Sequence, residues 1–272
     1  MPEMPEVEIV RRTLLPLTTR KTIKDVMIRW PKMIQNTDAD TFRKTLNGQT
    51  IHDISRRGKF LIFHFDDYSV VSHLRMEGRY RVEEKIEPDP HTHLVFHFTD
   101  GTHLLYRDVR KFGTFHLFPK GEEFFAPPLS HLGPEPFSDA FTFAFLKEQL
   151  KKTSRLIKAV LLDQKVVVGL GNIYVDEVLF RSGIHPERKA QDLNDKEIEK
   201  LRAEIITTLK EAIDKGGSTV RSYVNSQGKK GTYQLQLFVY ARNGEPCRIC
   251  GRPIEKIKVA GRGTHFCSNC QH

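Results

Sequence analysis

No stretch of this 272-residue sequence runs for about 18 apolar residues, which excludes a membrane-spanning helix. The segment Met1 to Arg12 holds three glutamates and no apolar core, so it does not read as a secretory signal. Cysteine is scarce: four residues, all after position 246. These absences point to the cytosol, a compartment where structural disulfides are rare. No internal repeat or low-complexity tract stands out.

What is present is a foldable, basic chain. At 39% hydrophobic it has ample material for a packed core and is far from a disordered composition. Its length suggests two domains rather than one. The 43 lysines and arginines against 34 aspartates and glutamates leave a formal charge of +9. That surplus favours a polyanionic partner, and DNA, RNA and an anionic membrane surface all qualify, as does a merely basic soluble protein.

Residues 50–118 alternate in the manner of strands. Phe60 to Phe65 ends at Asp66-Asp67, Val70 to Leu74 follows, and His93 to Phe98 returns through Asp100-Gly101 into His103 to Tyr106. Aromatic and β-branched runs around an Asp-Gly turn read as hairpins. The expectation is a β-sandwich over 1–130, preceded by a helix near Glu6 to Leu17. Five of the fourteen prolines lie in 119–138, and a hinge is assigned to 131–150. Beyond it the pattern turns helical, over 151–235. Asn194 and Glu197 have capping-box spacing, and Ile198, Leu201, Ile205, Leu209, Ala212 and Ile213 make an amphipathic stripe that stops at Gly216-Gly217. A further helix is expected from Asn172 to Arg181, ending near Gly183.

The last segment, 236–272, carries Cys247-Arg-Ile-Cys250 and Cys267-Ser-Asn-Cys270. Two C-x-x-C pairs at this separation fit one tetrahedral Zn²⁺. Four thiolates fill the sphere, so the metal is structural. The alternatives are two disulfides or four free thiols. Between the pairs, Gly261-Arg262-Gly263 offers a guanidinium that can lie against phosphate, or a solvated turn.

The start, Met1-Pro2-Glu3-Met4-Pro5-Glu6-Val7-Glu8, is unusual. A small residue after Met1 normally permits its removal, which exposes Pro2 as a secondary amine. With a reference pKa of about 8, a substantial minority of α-amine is neutral and nucleophilic near pH 7. Such an amine can attack a sugar C1′ and go on to an iminium, with the neighbouring Glu3 handling protons. Alone, the same residues could simply begin a chain and a helix.

The rest of the sequence decides between these readings. The segments Pro2-Glu3-x-Pro5-Glu6-Val7-Glu8, Arg56 to Leu61, His73 to Gly78, Asp108 to Gly113, Gly169 to Tyr174 and Gly261 to Thr264 within the cysteine module stand in a specific order and spacing. In them the chain resembles the bacterial formamidopyrimidine-DNA glycosylase family from end to end. The visible departure is Met4, where the family usually has leucine, a swap that conserves volume.

The resemblance implies an α+β protein: an N-terminal β-sandwich, a helix–two-turn–helix domain and a zinc β-ribbon, with DNA between the domains. It implies that Pro2 is the Schiff-base nucleophile, Glu3 its acid/base partner, Lys59 the proton donor for β-elimination and Arg262 the donor for δ-elimination or the phosphate clamp beside it. Met76, Arg110 and Phe112 match the trio that fills the void after base eversion: an apolar wedge, a guanidinium for the widowed cytosine and a stacked ring. For Met76 and Phe112 the alternative is ordinary core packing, although Arg110 to Gly113 looks like a basic loop tip. Asn172 opens a helix, which its side chain is positioned to cap, and Lys158, His73 and His91 match DNA-contacting positions. His91 with His93 has the spacing of a metal pair, without an evident third ligand. Gly216-Gly217-Ser218-Thr219 to Gly231 resembles a loop that closes over the everted base.

The expected activity is excision of oxidised purines from duplex DNA, followed by β- and δ-elimination, by a monomeric, cytoplasmic, nucleoid-associated enzyme holding one zinc. The alternatives are an endonuclease VIII-type glycosylase for oxidised pyrimidines and a catalytically silent zinc-ribbon DNA-binding protein. A pure binder has no use for an exposed imine-forming amine, which argues against the last.

Overall fold

The computed structural model describes residues 2–87, 89–218 and 226–272. The chain divides into two units, one made of 1–130 with 216–231 and the other of 131–215 with 232–272. Of the expected closing loop, residues 219–225 lie outside the described residues, as does Met1.

The first unit opens with helix α1 (Met4–Thr18). Its start is fixed by Glu6, whose carboxylate accepts the Glu3 backbone N–H at 2.8 Å, and by Pro5, which suits a first turn that has no N–H to spend. Then come β1 (Ile23–Ile28), α2 (Ala39–Leu46), β2 (Asp53–Arg57), β3 (Phe60–His64), β4 (Tyr68–His73), β5 (Arg79–Glu83), β6 (Thr92–Phe98), β7 (His103–Arg107) and β8 (Thr114–Pro119). They form two antiparallel four-stranded sheets, in the orders β1-β6-β7-β5 and β2-β3-β4-β8. The turn at Asp100-Gly101 joins β6 to β7, with Gly101 at a φ of +86°. Between the sheets lies an apolar core that includes Phe63, Tyr80, Phe96, Leu104 and Phe115, and α1 adds Val7, Val10 and Leu14. The expected sandwich is thus the observed one.

The second unit holds α3 (Phe143–Lys151), α4 (Ile157–Leu162), α5 (Asn172–Ser182), α6 (Asp195–Asp214) and the hairpin β9 (Glu255–Val259) to β10 (Arg262–Phe266). Residues 131–150, expected as a hinge, carry most of α3, whose Leu146 and Leu150 are buried. The capping box at Asn194 and Glu197 starts α6 as its spacing predicts, and Gly183 in the left-handed region ends α5. The stripe Ile198, Leu201, Ile205, Leu209, Ala212 and Ile213 is buried throughout. Among the described residues no helix is long and apolar enough to cross a membrane.

Candidate active site and nucleic-acid interface

Pro2 and Glu3 are both buried at the head of α1. The helix is tied to β2 by Glu8, which accepts from Arg11 at 2.8 Å, from Arg12 at 2.8 Å and from Arg56 at 3.2 Å. Burial pushes the Glu8 carboxyl up, but hydrogen bonds from Arg11 and Arg12 and the charges of Arg11 and Arg56 outweigh it and hold the group at about 2. A permanently ionised anchor therefore fixes the N-terminal helix to the strand that leads into Lys59. Glu6 serves a second purpose: its other oxygen accepts the Ser218 backbone N–H at 2.7 Å, within the same unit.

Lys59 sits in the two-residue turn Gly58-Lys59 between β2 and β3, rather than within a strand, with Gly58 at a φ of +58°. Its side chain is nonetheless buried. Beside it Phe60 meets the His73 ring edge-on at 4.5 Å between centroids. His73 Nδ1 accepts the Arg75 backbone N–H at 2.9 Å. Burial first, then the charges of Arg75, Lys59 and His116, lower the imidazole to about 3. The ring is therefore neutral near pH 7, and with Nδ1 accepting, its proton is on Nε2, the nitrogen left as a donor.

Met76, Arg110 and Phe112, expected as the void-filling trio, lie on two loops of the same unit. Met76 is half-buried in the turn after β4, where Arg75 takes a φ of +52°. Arg110 and Phe112 lie on the loop between β7 and β8, and Phe112 is 50% exposed. An exposed phenylalanine excludes ordinary core packing for this ring. The Arg110 guanidinium stacks over it, 4.6 Å from the ring centroid. Asp108 shapes the loop: its buried carboxylate accepts N–H groups from Arg110 at 3.0 Å, Phe112 at 2.9 Å and Gly113 at 2.8 Å. Both segments also close on one side chain. A β-carbon at Gly78 or at Gly113 would overlap the Tyr106 hydroxyl, so glycine at these two positions lets the Met76 turn and the Phe112 loop pack on the same ring. His91 anchors the start of this region through its carbonyl, which accepts from Asp108 N at 2.9 Å. His93 is buried with Nε2 against the Asp108 carbonyl at 3.0 Å, and it forms no metal group with His91 among the described residues.

In the second unit, Asn172 does not cap α5. Gly171 is the cap residue, and the Asn172 amide instead donates to the Gly263 carbonyl of the ribbon at 2.9 Å. Lys158 requires a larger correction. Expected to reach phosphate, its ammonium is fully buried, 2.6 Å from Asp176 and 3.2 Å from the Gly263 carbonyl. The charge is already neutralised inside the protein, which leaves it no outward phosphate contact. Asp176 also accepts the His265 N–H at 2.9 Å. Asn172, Lys158 and Asp176 together thus fasten α4 and α5 to β10, directly behind Arg262. Arg262 itself is exposed next to the turn Ala260-Gly261, whose two residues have φ of +48° and +78°. Such a pair of left-handed residues makes a two-residue hairpin turn compatible with strand twist. Arg262 lines a cavity of about 260 Å³ with Arg155 and Asp163, and Arg155 was not singled out by the sequence.

The four cysteine sulfurs lie within 4.8 Å of one another, at 3.9 Å for Cys247 and Cys270 and 3.5 Å for Cys250 and Cys267. None is in a disulfide. Zinc–sulfur bonds of about 2.3 Å in a tetrahedron put sulfurs about 3.8 Å apart, so the four thiols fit one structural zinc with no open position. The Ile249 backbone N–H points at Cys247 Sγ from 3.4 Å.

Comparison with known proteins agrees with this geometry over the whole chain. Residues 1–115 match the formamidopyrimidine-DNA glycosylase N-terminal domain, 132–224 the H2TH domain of the same proteins, and 244–272 a zinc finger found in FPG and IleRS. The formamidopyrimidine-DNA glycosylase of Bacillus subtilis is 62% identical over 273 residues, covering 100% of this chain and 99% of the relative. That of Geobacillus kaustophilus is 59% identical, with both chains fully covered. Among solved structures, a Lactococcus lactis FPG mutant in complex with a Fapy-dG containing DNA superposes with a TM-score of 0.95 at 44% identity, both chains fully covered. The Lactococcus lactis enzyme with an abasic site containing DNA gives 0.94 at 45% identity, covering 99% of each. Sandwich, helical unit and ribbon are thus those of a DNA glycosylase with a structural zinc. The chain belongs to the formamidopyrimidine-DNA glycosylase family.

Proposed function

We propose that this chain removes oxidised purines, 8-oxoguanine and ring-opened formamidopyrimidines, from duplex DNA and then cleaves the abasic strand. The observation that carries the reading is the buried Pro2-Glu3 start, held by Glu6 and Glu8 on a chain that matches glycosylases from end to end. With Met1 removed, the Pro2 nitrogen attacks C1′ of the damaged nucleotide. The N–C1′ bond forms as the base–C1′ bond breaks, and the base leaves with a proton. Glu3 is the acid/base group beside that nitrogen. The sugar ring then opens: the C1′–O4′ bond breaks, O4′ takes up a proton, and the C1′–N linkage becomes an iminium. The iminium acidifies C2′, so loss of a C2′ proton expels the 3′ phosphate, with Lys59 as the proton donor for this step. A second elimination expels the 5′ phosphate, with Arg262 as donor or clamp, and leaves a one-nucleoside gap.

DNA contacts follow the same assignment. Met76 and Phe112 fill the void left by the everted base, and Arg110 serves the unpaired cytosine. His73 through its Nε2 proton, His91, Asn172, Arg262 and, beside the same cavity, Arg155 serve phosphates. Lys158 acts from behind, through Asp176 and Gly263. The zinc holds the ribbon in register and takes no part in the chemistry. The working form is a monomer in the cytoplasm, at the nucleoid. The test is single-turnover excision on 8-oxoguanine:C, formamidopyrimidine:C and thymine-glycol:A duplexes. The two purine lesions should be released fastest; thymine glycol as the best substrate would transfer the chain to the endonuclease VIII reading.

A further inference from the structure

On the sheet β1-β6-β7-β5, four side chains able to ligate metal stand in one row. Asp25 is opposite His97, His97 opposite His103, and His103 opposite Glu83. Residues directly opposite in antiparallel strands share a face, with β-carbons about 4.5–5.5 Å apart. The next row, Val26, Phe96, Leu104 and Val82, faces the core between the sheets. With a side-chain period of two, Asp25, His97, His103 and Glu83 therefore share the outer face, where Asp25 is exposed and the other three are half-buried.

The two imidazoles are arranged as a chelate. Their Nδ1 atoms lie 3.1 Å apart, with the rings at 79° to each other. Two nitrogens bound to one tetrahedral ion at about 2.0–2.1 Å stand about 3.3 Å apart, so little movement separates the proton-sharing pair from a metal-binding one. Asp25 is 3.8 Å from Arg43, whereas Glu83 stands directly beside His103 on the edge strand and has the longer reach.

We infer that this row binds a divalent transition-metal ion of the zinc, nickel and copper class, through the gathered pair His97 Nδ1 and His103 Nδ1, with the Glu83 carboxylate turning in to join them on binding and water completing the sphere. Imidazole nitrogens select these ions over magnesium and calcium. The site is distinct from the four-cysteine ribbon and independent of the catalytic assignment above. The experiment uses the intact, zinc-loaded chain, dialysed against micromolar zinc chloride at pH 7.5 and then analysed for bound metal. Wild type should hold a second zinc per chain. His97→Ala and His103→Ala should each hold only the ribbon zinc, and Glu83→Gln should weaken the second site several-fold. All three variants should excise damaged bases as wild type does, which shows that they are folded. A wild-type content of one zinc, or a second zinc that survives in the His97→Ala/His103→Ala double variant, overturns the inference.

Discussion

The Ser218 backbone N–H donates to the Glu6 carboxylate at 2.7 Å, joining residues 212 apart in sequence. The other oxygen of the same carboxylate holds the Glu3 N–H at 2.8 Å. One buried side chain thus ties the N-terminus to the segment that begins at Gly216.

Glu6→Gln should loosen both ends of this link. An amide has one acceptor oxygen and an NH₂ that would face a backbone N–H, and one buried donor left unpaired costs about 1–3 kcal/mol. Gly217→Ala should act in the same direction, because the new carbon would press on the Glu6 side chain at a φ of +80°. Single-turnover assays should show slower base excision in both variants with DNA binding nearly retained. Wild-type excision rates in both would remove Glu6 from the account.

Arg110 should set the preference for the base opposite the lesion. Cytosine left alone presents acceptors that a donor-only guanidinium can serve, whereas adenine turns an N6 donor toward it. A mismatch of donors costs about 1–3 kcal/mol. Excision of 8-oxoguanine opposite cytosine should therefore exceed excision opposite adenine, and Arg110→Ala should narrow the gap by slowing the first. An unchanged ratio in Arg110→Ala would assign the discrimination elsewhere.

Local periodicity made much of the fold legible. The strand runs, the Asp100-Gly101 turn, the Asn194 cap, the α6 stripe and the cysteine spacing each record a neighbour-scale rule, and each appears as expected. The errors share a different cause. Lys158 meets Asp176 eighteen residues on and Gly263 105 residues on, and Asn172 meets Gly263 at a separation of 91, so their partners come together only once α4, α5 and the ribbon pack. Glu6 and Asp108 stand inside the family motifs, yet their roles leave no local signal, since a carboxylate that organises backbone N–H groups looks the same in sequence as one on a solvated surface. Tyr106, gripped by Gly78 and Gly113, left a trace only in those two glycines.

Asp176→Ala should remove the carboxylate that holds the buried Lys158 ammonium at 2.6 Å. Removing one partner of a buried pair costs about 3–5 kcal/mol, whereas replacing both by apolar groups is often neutral. The single variant should melt earlier and bind DNA weakly, because the strand behind Arg262 loses its anchor. The Lys158→Met/Asp176→Leu double variant should regain most of the melting temperature. No loss of stability in Asp176→Ala would show that the pair is not the fastening described.

Stability should fall with acidification in two stages. His73 is depressed from 6.5 to about 3, so its contribution is full above 6.5 and is lost as pH falls toward 3, since the unfolded chain takes up the proton first. Glu8 is depressed from 4.5 to about 2, so its contribution is full above 4.5 and is lost between there and 2. Thermal melts across this range should decline from about pH 6.5 and steepen below 4.5, and His73→Leu should flatten the upper part. A melting temperature that rises as the pH falls from 6.5 to 5 would contradict the sign of the His73 shift.

Whether the Pro2 amine forms the covalent intermediate is read most directly from intact-protein mass after borohydride reduction on an 8-oxoguanine:C duplex, followed by peptide mapping. A DNA-linked adduct should sit on Pro2 in protein lacking Met1, and none should form when an uncleaved tag turns that amine into an amide. A full yield of adduct in the tagged protein, or an adduct mapped to Lys59, would contradict the Pro2 assignment.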